Sequence, residues 1–312
     1  GVIAGAFAAA LLSRQFRVRG APPFEILKGF VGGALMGIGA ALAFGCNIGG
    51  FFSAISALSM SGLAMMIGLL IGAYIGLRLL ILEVKYLNLP SSGNQSKVVS
   101  GPSDRWIKLQ PIVGGLVLLA GISLTFVYDS FDYPTRGVFL LFGLVFGLVM
   151  QRSRFCFVRA FREPFLTGDG GMTKAVVLAV IISVIGFSIL KWTDLRSWDT
   201  FVRPGFWFGG LMGGIVFGVG MSLSGGCASG CLWRAGEGQV KLWIAIIAFA
   251  LSRAIFGGWL EESGWMMKLG ESVFLPDYVG WKAGIVIVIT IMLLWYLIVV
   301  WNEARRKLVV NF

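Results

Sequence analysis

The chain has 312 residues, 57% hydrophobic and only 13% charged, with a mean hydropathy of +0.86. A soluble domain carries about 25% charged residues, so this composition excludes a water-facing globular fold. Histidine is absent, which excludes His-based zinc sites, haem ligation by His, Ser-His-Asp triads and His proton relays.

Spans of about 20 apolar residues are needed to cross a bilayer. Residues 1–12 look like the end of one such span, so the chain is expected to begin inside or near a helix, with no cleavable signal peptide. Further spans are predicted at 29–46, 59–83, 110–128, 136–150, 173–192, 206–224, 240–261 and 281–301. About nine transmembrane helices result, and the fold class is an all-α polytopic membrane protein. The pieces 47–58, 154–164 and 228–237 are too short or too polar to span. They suit re-entrant half-helices, which lipid tolerates only when buried in protein or lining a cavity. A polar, turn-rich stretch, PSSGNQSKVVSGPSDR, opens at Pro90. It predicts a cytoplasmic linker over 90–109 joining a first half, 1–89, to a second, 110–312, of one membrane transport domain.

Lys and Arg number 26 against 15 Asp and Glu, a formal charge of +11. The basic residues flank apolar segments, so the excess follows the positive-inside rule, and no nucleic-acid partner is expected. Arg14, Arg17, Arg19 and Lys28 fall in one loop, Lys85, Lys97, Arg105 and Lys108 in another, and Arg305, Arg306 and Lys307 at the C-terminus. All three regions are predicted to be cytoplasmic. The loop 262–280, with Glu262, Glu271 and Asp277, is predicted to lie outside. This threading runs 29–46 outward and 206–224 inward.

Those two segments repeat each other. GGALMGIGAALAFGCNIGG from Gly32 aligns without a gap on GGIVFGVGMSLSGGCASGC from Gly213. Gly32, Gly33, Gly37, Gly39, Leu42, Gly45, Cys46 and Gly49 fall on Gly213, Gly214, Gly218, Gly220, Leu223, Gly226, Cys227 and Gly230, and Gly76 falls on Gly257 in the same register. Opposite directions make this an inverted repeat, an arrangement of secondary transporters whose sites lie at broken helices near the midplane. Gly45 and Gly226 allow the helix to break. Residues after each break start a new half-helix whose N–H groups favour an anion, at Asn47 in one copy and at Ala228 and Ser229 in the other.

A third cysteine lies in GLVFGLVMQRSRFCFVRAFREP, residues 143–164, among Arg152, Arg154, Arg159 and Arg162. Arg159 and Arg162 suit a cytoplasmic helix end. Arg154, two residues from Cys156, is the better candidate to attract an anion or lower a thiol pKa. The four cysteines, Cys46, Cys156, Cys227 and Cys231, make no disulfide framework in an apolar chain of this length. Cys231 lies one helical turn beyond Cys227, which suits either packing or a redox pair. Glu237 and Gln239 suit a structural role at the end of that half-helix, and Trp233 is close enough in sequence to Cys231 to line a vestibule. No metal site, cofactor or catalytic residue is read from the sequence.

GCNIGGFFSAISALSMSG (45–62), GLVFGLVMQRSRFCFVRAFREPFLTG (143–168) and GGCASGCLWRAGEGQV (225–240) resemble the YeeE/YedE family of sulfur-transport membrane proteins, and within it the YedE branch, linked to selenium metabolism. The resemblance runs over nearly the whole chain. It implies a multi-pass protein of the cell inner membrane with a cytoplasmic C-terminus, and an hourglass of helices. It also implies transport of thiosulfate or a related inorganic sulfur or selenium anion, with a small soluble sulfur-carrier protein as a partner. By motif, Cys46, Cys156 and Cys227 are the equivalents of the family's pore thiols, and Cys231 falls outside that set. The RxxFC motif lies in the second half here rather than near the start, so Cys156 is carried over less directly than the other two. A neutral thiol is an adaptable contact for a polarizable sulfur anion, whereas a thiolate would repel it. The alternative reading is a sulfur or selenium carrier or transferase using Cys227 and Cys231 covalently. A non-transporting scaffold subunit is a third.

Overall fold

The computed structural model describes residues 1–87, 104–131, 133–193 and 195–310. Residues 90–103 of the predicted linker lie outside them, and its last six residues, 104–109, are helical. Among the described residues the chain is helical throughout, in the order α1 (Val2–Leu12), α2 (Pro23–Leu42), a π-helical segment (Asn47–Phe52) running into α3 (Ser53–Ser56), α4 (Met60–Leu87), α5 (Asp104–Ser130), α6 (Pro134–Ser153) and α7 (Phe157–Leu166). It continues with α8 (Gly171–Trp192), α9 (Phe208–Ser224), α10 (Ala228–Gly236), α11 (Val240–Glu262), α12 (Trp265–Lys268), α13 (Leu275–Val279) and α14 (Trp281–Arg305). Pro23 and Pro134 open α2 and α6, where a missing N–H costs nothing.

Among the described residues, eight segments are long and apolar enough to cross a membrane. This is a multi-pass membrane protein. The expected ninth span is α1, which has only 11 residues, about 17 Å of helix against a hydrocarbon core of about 30 Å. The three short pieces after Cys46, Cys156 and Cys227 are separate short helices, as the sequence predicts. Helix α2 starts at Pro23, earlier than hydropathy predicts. Its charged first turn is held by Glu25, which pairs with both Lys28 and, at 2.6 Å, Lys241.

The contacts divide the chain into two compact units. The first comprises 1–29, 90–155 and 229–246. Here α1 packs on α5 and α6, and Ala6, Met150 and Trp233 form a buried cluster against Phe155. The Trp233 indole N–H donates to the Phe155 carbonyl at 2.8 Å. Buried Gln151 donates to Glu237 at 3.0 Å, tying the end of α6 to the residue after α10. That bond gives Glu237 the structural role expected of it.

The second unit comprises 30–89, 156–228 and 247–312. Its axis is α9, whose glycines lie against two helices. A Cβ on Gly214 would come within 3.0 Å of Gly68 Cα in α4, and one on Gly218 within 2.9 Å of Gly72 Cα. These rows advance together, so α4 and α9 are parallel. On α2 the direction reverses. A Cβ on Gly39 would meet the Gly213 carbonyl oxygen at 2.6 Å, and one on Gly32 the Gly220 carbonyl oxygen at 2.7 Å. Replacing each residue by its sequence counterpart turns the pair Gly32–Gly220 into Gly213–Gly39. The two copies are therefore antiparallel about a local pseudo-two-fold, with only glycine small enough at both crossings. Around this axis α7 packs on α8, with Thr173 Oγ1 donating to the Ala160 carbonyl at 2.5 Å. Helix α14 meets α7 through Asn302 Nδ2, which donates to the Pro164 carbonyl at 2.7 Å.

Candidate functional site: three cysteines at helix breaks

Each of the three breaks is built the same way. A helix ends, one residue turns left-handed, and two residues later a cysteine precedes a new helix. The left-handed residues are Phe44 (φ +55°), Arg154 (φ +51°) and Gly225 (φ +78°). Phe44 and Gly225 are sequence counterparts in the repeat. At the first two breaks the next amide reaches back five residues, Gly45 N–H to the Ala40 carbonyl (3.0 Å) and Phe155 N–H to the Met150 carbonyl (3.3 Å). This is the Schellman ending, which favours glycine at its left-handed position. Phe44 holds that conformation because its ring packs against Gly205, Leu260 and Leu269.

The cysteines then enter extended conformation. Cys46 (φ −77°, ψ −177°) precedes the π-helical segment, and Cys156 (φ −155°, ψ 122°) precedes α7; neither side chain caps its helix. Cys227 precedes α10 at Ala228. Cys156 and Cys227 are completely buried, and their sulfurs lie 3.9 Å apart. Cys46 is half-buried. The helices behind Cys46 and Cys156 pack together: the Phe51 ring stands edge-on to Phe157 (6.0 Å) and Phe161 (5.2 Å), and Phe52 to Phe157 (6.4 Å).

Gly45 has a specific cause. A Cβ there would come within 2.6 Å of the Gly50 amide nitrogen, which itself donates to the Cys46 carbonyl. Gly226 is held by Ser224, whose hydroxyl donates to the Gly226 carbonyl at 2.8 Å and approaches Met36 Sδ at 4.0 Å. Asn47 is fully buried, yet neither its amide nitrogen nor its oxygen has a hydrogen-bond partner among the described residues. A buried amide without partners costs about 1–3 kcal/mol.

The remaining sequence candidates lie in the first unit. Cys231 and Ser229 are buried on α10. Arg154 is exposed and donates to Gln15 Oε1 at 3.1 Å. The left-handed break that carries Arg154 recurs after α1, where Arg14 has φ +56° and Gln15 N–H reaches the Ala10 carbonyl at 2.8 Å. Phe16 there occupies the position that Cys156 holds after α6.

Sequence reasoning missed Ser224, because a serine in a glycine-rich helix reads as packing. It also missed Arg203, whose side chain stands beside Gly49. The available signal was Arg203 itself, a basic residue in a loop that charge threading puts outside, against the positive-inside trend.

No solved structure matches this chain. The family model described as "Sulphur transport" matches residues 1–75 and 152–311. The chain is 31% identical over 249 residues to proteins named "Probable transporter YedE" from Escherichia coli (strain K12) and Salmonella typhimurium, covering 78% of this chain and 60% of each relative. It therefore spans less than two thirds of those relatives' length. It is also 38% identical over 130 residues to "Thiosulfate transporter TsuA" of Spirochaeta thermophila, covering 40% of this chain and 39% of the relative. The inverted glycine repeat, the cysteines at its breaks and these matches together show that the chain belongs to the YeeE/YedE family of sulphur transport proteins.

Proposed function

We propose that this protein is a permease for a small inorganic sulfur anion of the thiosulfate class, handed along neutral thiols at the helix breaks. The observation that carries this reading is the buried Cys156–Cys227 pair, with sulfurs 3.9 Å apart at two breaks of one unit. Thiols are weak donors on soft, polarizable atoms. They replace water around the sulfur of thiosulfate at small cost, whereas the four hard oxygens of sulfate need strong donors that thiols do not supply. Asn47, buried with both amide atoms unsatisfied, provides the stronger polar contact next to Cys46. Two relatives named thiosulfate transporter support the substrate class.

A selenium anion belongs to the same soft class and competes for the same thiols. The proposed setting is the cell inner membrane with the basic C-terminus in the cytoplasm, where a small soluble sulfur-carrier protein receives the cargo. Uptake into proteoliposomes, run in parallel with thiosulfate, sulfite, selenite and sulfate, tests the reading. Thiosulfate uptake exceeding sulfate, and falling about ten-fold or more in Cys156→Ser and Cys227→Ser, is the expected result. Wild-type uptake by serine variants at both positions would sink the thiol relay. Intact-mass measurement on the same samples separates a covalent carrier, which would leave an added sulfur on Cys227 or Cys231.

A further inference from the structure

Relay thiols are uncharged, so a dianion needs some other group to draw it out of water. We infer that Arg203 and the open space beside Gly49 form an anion-capture site ahead of Cys46, an inference that rests on the anion-permease reading. Three observations converge there. Among the described residues outside its own helical segment, a Cβ placed on Gly49 would come within 4 Å of the Arg203 Nη2 alone, at 3.9 Å. The space in front of this glycine is therefore open and faces a guanidinium. The Arg203 side chain is partly buried, and its Nε has no hydrogen-bond partner among the described residues. Its guanidinium otherwise rests on the Phe201 ring, 5.6 Å from the centroid. Asn47, two residues before Gly49 in the same helical segment, is a further buried and unsatisfied polar group on a different face.

The position of Arg203 is fixed in advance. Its amide donates to Ser59 Oγ at 3.2 Å, and Ser59 Oγ in turn lies 2.9 Å from Ser61 Oγ. The following turn is tied to the loop 269–271, with Gly205, Phe206 and Gly209 amides donating to the carbonyls of Gly270, Glu271 and Leu269. A guanidinium fork held this way offers paired donors to an oxyanion with little ordering cost. Charge threading puts the loop on the outer side, so the anion meets Arg203 first, then Asn47, then the thiols.

The test uses the purified full chain, with thiosulfate as the probe. Binding is read by tryptophan fluorescence and uptake is read in proteoliposomes. Arg203→Gln is expected to weaken thiosulfate binding about ten-fold and to flatten its dependence on ionic strength, with Arg203→Lys intermediate. Gly49→Val fills the space beside Arg203 and is expected to weaken binding similarly, which keeps the proposal testable if Arg203→Gln does not fold. A merely structural Arg203 would change ligand-free thermal stability but leave affinity and its salt dependence as in the wild type. Wild-type affinity in Gly49→Val, or in folded Arg203→Gln, would overturn the site, as would a wild type that does not bind thiosulfate. Binding without uptake would instead overturn the permease reading and leave the capture site standing.

Discussion

At the scale of single residues, the proposed relay rests on the sulfurs of Cys156 and Cys227. At 3.9 Å they are near contact but well beyond the roughly 2.05 Å of a disulfide. Mild oxidation of a Cys231→Ser variant is expected to join them. Peptide mapping should recover the 156–227 crosslink, uptake should stop, and dithiothreitol should restore it; uptake unaffected by a mapped crosslink would place the pathway elsewhere. Arg154 carries two roles that one substitution separates. It holds a left-handed backbone at the end of α6, where glycine removes a penalty of about 1 kcal/mol. Arg154→Gly is thus expected to hold or raise thermal stability. A salt-dependent fall in uptake in the same variant would assign the side chain to anion attraction, and unchanged uptake would leave it a helix cap. Cys46, Cys227 and Asn47 were legible as candidates because they sit at Gly-Cys breaks, and Cys156 because its glycine-rich helix turns polar just before it. Arg203 was not, because nothing in the sequence ties position 203 to position 49.

At the scale of elements, helix crossings and helix endings decide the architecture. The α2–α9 crossing leaves no room for a Cβ at Gly39 or Gly32. Gly39→Val is expected to lower stability by about 1–3 kcal/mol, the range for overpacking a filled contact, read as a fall in the thermal midpoint in detergent. Gly115→Ala, where a Cβ meets nothing within 4 Å, should be neutral, and equal losses in both would show that the crossing does not carry the stability. At Gly225 the left-handed backbone predicts that Gly225→Ala costs about 1 kcal/mol and shifts the start of α10, lowering uptake more than stability. The eight long helices were readable from hydropathy because each needs its own run of apolar residues. The first turn of α2 was not. Glu25 and Lys28 look like loop residues until Glu25 is seen paired with both Lys28 and, far along the chain, Lys241.

At the scale of the whole molecule, the inverted repeat links sequence to direction. Positive-inside threading gave opposite directions to α2 and α9, and the paired contacts Gly32–Gly220 and Gly39–Gly213 run antiparallel. The same threading predicts which face is which. A fluorescent protein fused after Phe312 is expected to glow in the cytoplasm, and alkaline phosphatase inserted near Gly264 to be active outside; the reverse pattern would turn the proposed direction of the pathway around.

The sequence by itself determined that this chain lives in a membrane, that it is helical, that two of its segments are copies, and that three cysteines follow helix breaks. These are local properties, carried by hydropathy, charge and glycine spacing within single stretches of chain. Only the tertiary structure decided that Cys227 faces Cys156 across a gap of 71 residues, that Asn47 is buried with nothing to bond, and that Arg203 stands over Gly49. Those facts depend on which helices meet and at what rotation. Small residues permit many such meetings, and the packing of the complete set of helices selects one.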